Sequence, residues 1–77
     1  MTKKFILVTM PACPSCPAMK VFMKECRMEG DFVDAATPEG LDVARRYSVK
    51  NAPTAIFLED DKEIGRANSP EEAKKFL

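Results

Sequence analysis

The sequence predicts one α/β domain with a mixed four-stranded sheet and helices on both faces. Apolar runs and helical patterns follow one another in the order β-α-β-α-β-β-α, with turn residues between them. The first β-α-β unit requires parallel strands joined by a right-handed crossover. The last two strands flank a short polar turn, which is typical of an antiparallel hairpin. The 77 residues suffice for a single small domain, residues 1–77, without repeats or linkers.

The N-terminal part predicts a buried strand followed by an amphipathic helix. Residues 4–9 include successive apolar side chains, as in a central strand covered on both faces. The helix is expected from Cys13 to about Met28, with Gly30 ending it. Its buried face, at the spacing i, i+3, i+4 and i+7, consists of Met19, Phe22, Met23 and Cys26.

The middle of the chain predicts a short strand at residues 32–35 and a second helix. Thr37 is its expected cap, and Pro38 occupies the first helical position. The buried stripe of this helix is expected to consist of Leu41, Ala44 and Tyr47.

The C-terminal part predicts a hairpin and a last helix. Residues 55–58 and 63–67 are the two strands, around the polar turn at residues 59–62. Ser69 is followed by proline and, at the capping-box position, by glutamate, which predicts a helix start. Phe76 and Leu77 are expected to dock this helix on the sheet.

Composition excludes several classes of function. Twelve basic and twelve acidic residues give a net charge of zero, so no nucleic-acid footprint is expected. The longest apolar run near the N-terminus has four residues, too few for a membrane span or a signal peptide, and we expect a cytoplasmic protein. With three cysteines and no histidine, one chain cannot build a usual zinc site, so no metal residues are assigned. We expect a monomer.

Cys13-Pro14-Ser15-Cys16 is the motif that carries chemistry. A Cys-x-x-Cys pair between a strand and a helix is a redox signature. If the helix begins at Cys13, free backbone N–H groups and the helix dipole stabilise the thiolate of that residue. Cys13 is then the nucleophile, and Cys16, one turn further, attacks the mixed disulfide and leaves a Cys13–Cys16 disulfide. Met10 lies in the loop before Cys13 and is expected to face the substrate.

Other interpretations of the cysteines stay open. Cys13 and Cys16 could form a structural disulfide, although so small a loop gains little entropy. Two chains could share zinc or an iron–sulfur cluster between their Cys13/Cys16 pairs, in a dimer that is not an enzyme. A redox fold could also serve only as a binding module. Cys26 could be a third redox thiol, but its spacing favours a small core residue.

Two segments resemble the thioredoxin and glutaredoxin superfamily over nearly the whole chain. Residues 9–16, Thr-Met-Pro-Ala-Cys-Pro-Ser-Cys, are similar to the glutaredoxin active-site loop. Residues 47–57 are similar to the thioredoxin segment that enters the third strand. The resemblance implies a thioredoxin-like fold, a short glutaredoxin-like redoxin or mini-thioredoxin, and a cis peptide bond at Ala52–Pro53 beside the cysteines. A bend of this kind leaves the backbone of Ala52 free to pair with an extended substrate.

The expected function is therefore thiol-disulfide oxidoreduction, in electron transport and cell redox homeostasis. No bound cofactor is expected; the Cys13–Cys16 dithiol is the redox group. The residues expected to bind substrate are Met10, Pro11, Ala12, Pro14, Ser15, Ala52, Pro53 and Thr54.

Departures from both parent families bear on the electron donor. Glutaredoxins usually carry lysine at the place of Met10 and a Gly-Gly pair where this chain has only Gly65. Thioredoxins usually carry tryptophan at the place of Ala12 and an acid in the preceding strand. The resemblance implies a thioredoxin-reductase-type flavoenzyme as donor, with glutathione, and hence a glutathione-dependent glutaredoxin, as the alternative. It implies disulfide-containing proteins such as ribonucleotide reductase or a peroxidase as recipients.

Overall fold

The computed structural model of the chain describes residues 3–11 and 13–76. These residues form four strands and three helices in the predicted order. The elements are β1 (Lys3–Thr9), α1 (Cys16–Glu25), β2 (Glu29–Asp34), α2 (Pro38–Arg46), β3 (Thr54–Glu59), β4 (Lys62–Ala67) and α3 (Pro70–Ala73), which a 3₁₀ turn (Lys74–Phe76) extends.

The four strands form one mixed sheet in the order β2-β1-β3-β4. β1 pairs with β2 in parallel, β1 with β3 antiparallel, and β3 with β4 antiparallel as a hairpin. The two central strands are the buried ones: Leu7 in β1 and Ile56 in β3 are fully excluded from solvent. The predicted thioredoxin-like fold class, with its mixed four-stranded sheet, is confirmed.

Helices cover both faces of the sheet and give the domain two apolar layers. On one face, Met19 and Met23 of α1 and Ala73 of α3 pack on Phe5 and Phe57. On the other face, Ala44 of α2 packs on a smaller cluster with Val8, Ile56 and Leu58. Phe76 stacks on Phe57 with ring centroids 4.7 Å apart, so the last turn docks as predicted, whereas Leu77 lies outside the described residues.

The helix predicted from Cys13 to about Met28 is shorter at both ends. It begins at Cys16, with Ser15 as its N-cap, and ends at Glu25. Pro17 explains the late start, because it lacks the N–H that a helix beginning at Cys13 would bond in its second turn. In the first turn of a helix beginning at Cys16 that N–H has no intrahelical partner.

Gly30 does not end α1, as the sequence suggested, but belongs to β2. This strand begins at Glu29 rather than at residue 32 and pairs Gly30 with Phe5 of β1. A Cβ at Gly30 would overlap the ring of Phe5, so the glycine makes room for a core side chain. Gly30 does mark a position with a special requirement, but the requirement is space for the Phe5 ring and not the end of a helix.

The predicted caps of α2 and α3 are present. Thr37 Oγ1 accepts a hydrogen bond from the Gly40 N–H at 3.0 Å, and Ser69 Oγ accepts one from the Glu72 N–H at 3.3 Å. Leu41, however, is 42% exposed and does not belong to the buried stripe of α2. That stripe instead includes Gly40, because the first turn of α2 lies directly against the backbone at Asp34.

Within the described residues, the helices fall short of the length and apolar content that crossing a membrane requires.

Candidate active site

The loop between β1 and α1 carries the two thiols of the Cys-x-x-Cys motif. β1 ends at Thr9, whose hydroxyl donates to the Val33 carbonyl at 3.2 Å and ties the strand end to β2. The Cys13 N–H then donates to the Met10 carbonyl at 3.2 Å, which closes a turn. Cys13 therefore lies three residues before the first helical residue, and Cys16 takes the N-terminal position that the sequence assigned to Cys13. The helix-dipole argument for Cys13 was wrong in that respect.

The two thiols differ in exposure. Cys13 is partly exposed, whereas Cys16 is 4% exposed and belongs to the buried core residues. Burial raises the pKa of the Cys16 thiol, and its hydrogen bond with the Cys13 side chain raises that pKa further. A hydrogen bond with the Met10 backbone acts in the opposite direction. Cys13 is thus the thiol that a substrate can reach, and Cys16 is its buried neighbour.

The loop before β3 faces the same site. Its Ala52–Pro53 peptide bond is cis, and Pro53 is buried while Ala52 is partly exposed. Thr54, only 4% exposed, donates its hydroxyl to the Asn51 carbonyl at 2.5 Å. The turn at residues 51–54 is therefore closed on itself by a buried side chain.

A groove of about 370 Å³ separates the two loops. One side is the dithiol wall, which consists of Met10, Pro11, Cys13 and Pro14. The other side is the proline wall, residues 51–54, of which Ala52 lines the groove. A larger cavity of about 570 Å³ lies between the C-terminal end of α1 and the start of β2, but it contains neither Cys13 nor Cys16. The smaller groove carries the chemistry because the exposed thiol opens into it.

The structure brings together five of the ten site residues singled out in the sequence at this groove. Met10, Pro11, Pro14 and Ala52 line the groove with Cys13, and Met10 is 51% exposed, as expected of a residue that faces substrate. Others do not line it. Pro53 and Thr54 are buried beneath the groove, Ser15 is exposed at the start of α1, and Ala12 lies outside the described residues.

Of two residues that the sequence did not single out, one holds the proline wall and the other holds the end of α2. Asn68, just after β4, donates through Nδ2 to the Pro53 carbonyl and to Thr54 Oγ1, each at 3.1 Å. Arg66, in β4, donates through Nη2 to the carbonyl of Tyr47, the residue after α2. Both contacts join segments at least 14 residues apart. No local sequence pattern identifies Asn68 or Arg66 as site residues, and their contacts can be recognised only when the strand pairing is known.

Cys26 lies apart from the dithiol. Its thiol donates to the Met23 carbonyl at 3.0 Å, and the side chain packs on the core of the α1 face while it lines the larger cavity. This half-buried setting agrees with the interpretation as a core residue. Across the part of the chain that the structure describes, the His, Cys, Asp and Glu side chains form no cluster of three or more that could hold a metal ion.

Solved structures similar to the chain include thioredoxins. A thioredoxin from Thermus thermophilus is 27% identical, with a TM-score of 0.73 over 99% of this chain and 68% of that one. Fasciola hepatica thioredoxin is 28% identical, with a TM-score of 0.74 over 97% and 75%. Oxidised thioredoxin O2 from Arabidopsis thaliana, 13% identical, has a TM-score of 0.82 over 97% and 71%.

No family model matches the chain, and neither does any curated protein. The likeness thus comes from the three-dimensional arrangement, which agrees with the two motifs that surround the groove. The chain is a member of the thioredoxin-like superfamily.

Proposed function

We propose that the domain is a thiol-disulfide oxidoreductase that reduces protein disulfides with the Cys13/Cys16 dithiol. The observation that carries this proposal is one reachable thiol at the groove, followed three residues later in the same motif by a buried thiol. Cys13 opens between Met10, Pro11, Pro14 and Ala52, whereas Cys16 is only 4% exposed. The thioredoxin-like fold supports the same class of activity.

In the first step, the Cys13 thiolate attacks one sulfur of the substrate disulfide. The substrate S–S bond breaks, a mixed disulfide with Cys13 forms, and the first substrate sulfur leaves as a thiolate that takes up a proton. In the second step, the Cys16 thiolate attacks Cys13 Sγ, and the second substrate sulfur leaves in the same way. The substrate gains two electrons and two protons, and the domain keeps a Cys13–Cys16 disulfide.

The surroundings of Cys16 order these two steps. While Cys13 is free, burial, the hydrogen bond with Cys13 and the charge of Cys13 all raise the pKa of Cys16. In the mixed disulfide, Cys13 carries neither a charge nor a thiol proton, so both of its contributions vanish. The pKa of Cys16 then falls toward the value that burial alone sets, so its thiolate forms more readily in the second step than in the first.

The proline wall offers the substrate a place to pair. In the described part of the chain, no hydrogen bond engages the backbone of Ala52, which lines the groove opposite Cys13. An extended segment that carries a disulfide can pair with its N–H and C=O as an added strand. This arrangement favours disulfides on polypeptides, such as those of ribonucleotide reductase or a peroxidase.

A thioredoxin-reductase-type flavoenzyme is the proposed electron donor, in a reducing compartment such as the cytoplasm. Glutathione is the alternative, but the groove lacks a lysine at Met10 to hold its carboxylate. A coupled assay compares NADPH plus the reductase with glutathione plus glutathione reductase, using insulin as the acceptor. We expect turnover with the reductase. If neither system reduces the Cys13–Cys16 disulfide, the proposed function is wrong.

Metal analysis of anaerobically purified protein tests the alternative of a metal-sharing dimer. We expect a metal-free monomer. Stoichiometric zinc or iron in a dimer would support a shared site between two Cys13/Cys16 pairs instead.

A further inference from the structure

Asn68 occupies the short connection between β4 and α3 and does not line the groove. Its neighbour Ser69 already caps α3 through the bond from the Glu72 N–H. Asn68 is therefore free of a capping role, and its side chain turns to another segment. Its two hydrogen bonds, to the Pro53 carbonyl and to Thr54 Oγ1, both go to the turn that carries Ala52.

The bonds of Asn68 continue through Thr54 to Asn51. Thr54 Oγ1 accepts from Asn68 and donates to the Asn51 carbonyl, so three residues form one chain of hydrogen bonds around the turn. Thr54 is nearly excluded from solvent, so the loss of either hydrogen-bond partner would leave a buried polar group unpaired and lower the free energy of unfolding. The position of the turn thus depends on a residue 14 to 15 positions further along the chain.

The same bonds decide which backbone groups the substrate can use. Pro53 has no N–H, and Asn68 occupies its carbonyl; Asn51 accepts from Thr54. Within the described residues, no hydrogen bond engages the backbone of Ala52. By fixing Pro53 and Thr54, Asn68 also fixes the orientation of the adjoining Ala52 backbone, which lines the groove.

We propose that Asn68 is a positioning residue that makes the domain prefer disulfides carried on extended polypeptides over small disulfides. It does not touch the substrate; it holds the Ala52 backbone in the orientation that an added strand requires. A small disulfide needs only the thiol of Cys13 and no strand pairing, so its reaction does not depend on Asn68. This inference rests on the proposed function, because it concerns the substrate of the same groove.

The experiment measures the second-order rate constant of the reduced domain with two substrates, insulin and the small disulfide hydroxyethyl disulfide. The readout is the ratio of the two constants in each variant. In Asn68→Ala we expect this ratio to fall roughly fivefold, the effect of about one lost hydrogen bond. Asn68→Asp keeps the shape but cannot donate to the Pro53 carbonyl as a carboxylate, so we expect a similar fall.

Ser69→Ala is the matched control. It removes the cap of α3 next to Asn68 and lowers stability, but Ser69 makes no hydrogen bond to the proline wall. We expect its ratio to stay at the wild-type value. An unchanged ratio in Asn68→Ala, or an equal fall in Ser69→Ala, would overturn the positioning role. A wild-type domain that reacts with neither disulfide would instead overturn the proposed function.

Discussion

The two walls of the groove are held in different ways. The dithiol wall is held by contacts within itself: the Cys13 N–H bonds to the Met10 carbonyl, and Pro11 and Pro14 each have a restricted backbone. The proline wall is held from outside by Asn68, which donates to Pro53 and Thr54. The wall that carries the reactive sulfur thus depends on its own residues, whereas the wall that orients the substrate depends on the residue after β4.

Replacement of either dithiol cysteine should give the largest effect. In Cys13→Ser the attacking sulfur is absent, and in Cys16→Ser the mixed disulfide has no resolving thiol, so both variants should lose catalytic turnover. Cys26→Ser should retain it, because Cys26 bonds to Met23 and does not line the groove. Insulin reduction measures all three. Loss of turnover in Cys26→Ser alone would give the third thiol a redox role.

A matched pair of buried threonines separates the two walls. Thr9 and Thr54 are each 4% exposed, but Thr9 makes one side-chain hydrogen bond and Thr54 takes part in two. Thr54→Val should lower the free energy of unfolding by about 2 kcal/mol, and Thr9→Val by about 1 kcal/mol. Denaturant unfolding measures both values.

The threonine pair also differs in its effect on substrate preference. Thr54→Val removes a link in the bonds around Ala52, so it should lower the ratio of insulin to small-disulfide rate constants. Thr9→Val should leave this ratio unchanged, since Thr9 bonds to Val33 of β2 and makes no hydrogen bond to residues 51–54. Equal effects of the two substitutions on the ratio would mean that the walls do not differ as described.

The buried Cys16 thiol should make the stability of the reduced domain depend on alkaline pH. The pKa of Cys16 is raised in the folded state, first by burial, so the unfolded chain loses this proton at lower pH than the folded one. The stabilisation is complete below the thiol pKa of the unfolded chain, about 8.5, and is lost as pH rises through the folded pKa. Cys16→Ala should flatten this decline in unfolding measurements, and Thr54→Val should not.

The ion pair between Glu63 and Arg66 in β4 should give the smallest effect. Glu63 contacts Arg66 at 2.5 Å, and the hydrogen bond from Arg66 lowers the pKa of Glu63. Its contribution is present above the Glu pKa of the unfolded chain, about 4.3, and is lost as pH falls through the lower folded value. Both side chains are about one third exposed, so Glu63→Gln should cost only about 0.5 kcal/mol at neutral pH. A cost that persists unchanged in acid would contradict this assignment.

The difference between contacts within one segment and contacts from distant segments also explains which parts of the site could be predicted from the sequence. The Cys-x-x-Cys motif, the caps at Thr37 and Ser69 and the hairpin are local patterns, and the structure contains them. The sequence places the start of α1 too early because Pro11, Pro14 and Pro17 are each compatible with the first turn of a helix. In the structure, only Pro17 lies in that turn. Gly30 was taken for a helix end because its partner, the Phe5 ring, lies 25 residues earlier in the chain.

Asn68 and Arg66 could not be predicted for a related reason. Their partners, Tyr47 for Arg66 and the proline wall for Asn68, come from segments that are distant in sequence, and the pairing of β4 with β3 brings these segments together. An asparagine before a helix cap and an arginine in an edge strand are ordinary surface residues in the sequence. Residues that stabilise a site through contacts from distant segments are therefore the hardest to predict from a sequence.

The division of labour between the two thiols is tested most directly by trapping the mixed disulfide. Reduced Cys16→Ser protein is mixed with a peptide disulfide, quenched in acid and analysed by mass spectrometry after proteolysis. The account predicts one peptide per chain, joined to Cys13, whereas Cys13→Ser protein should accumulate little adduct on the buried Cys16. An adduct that forms preferentially on Cys16 or on Cys26 would contradict the assignment of Cys13 as the attacking thiol.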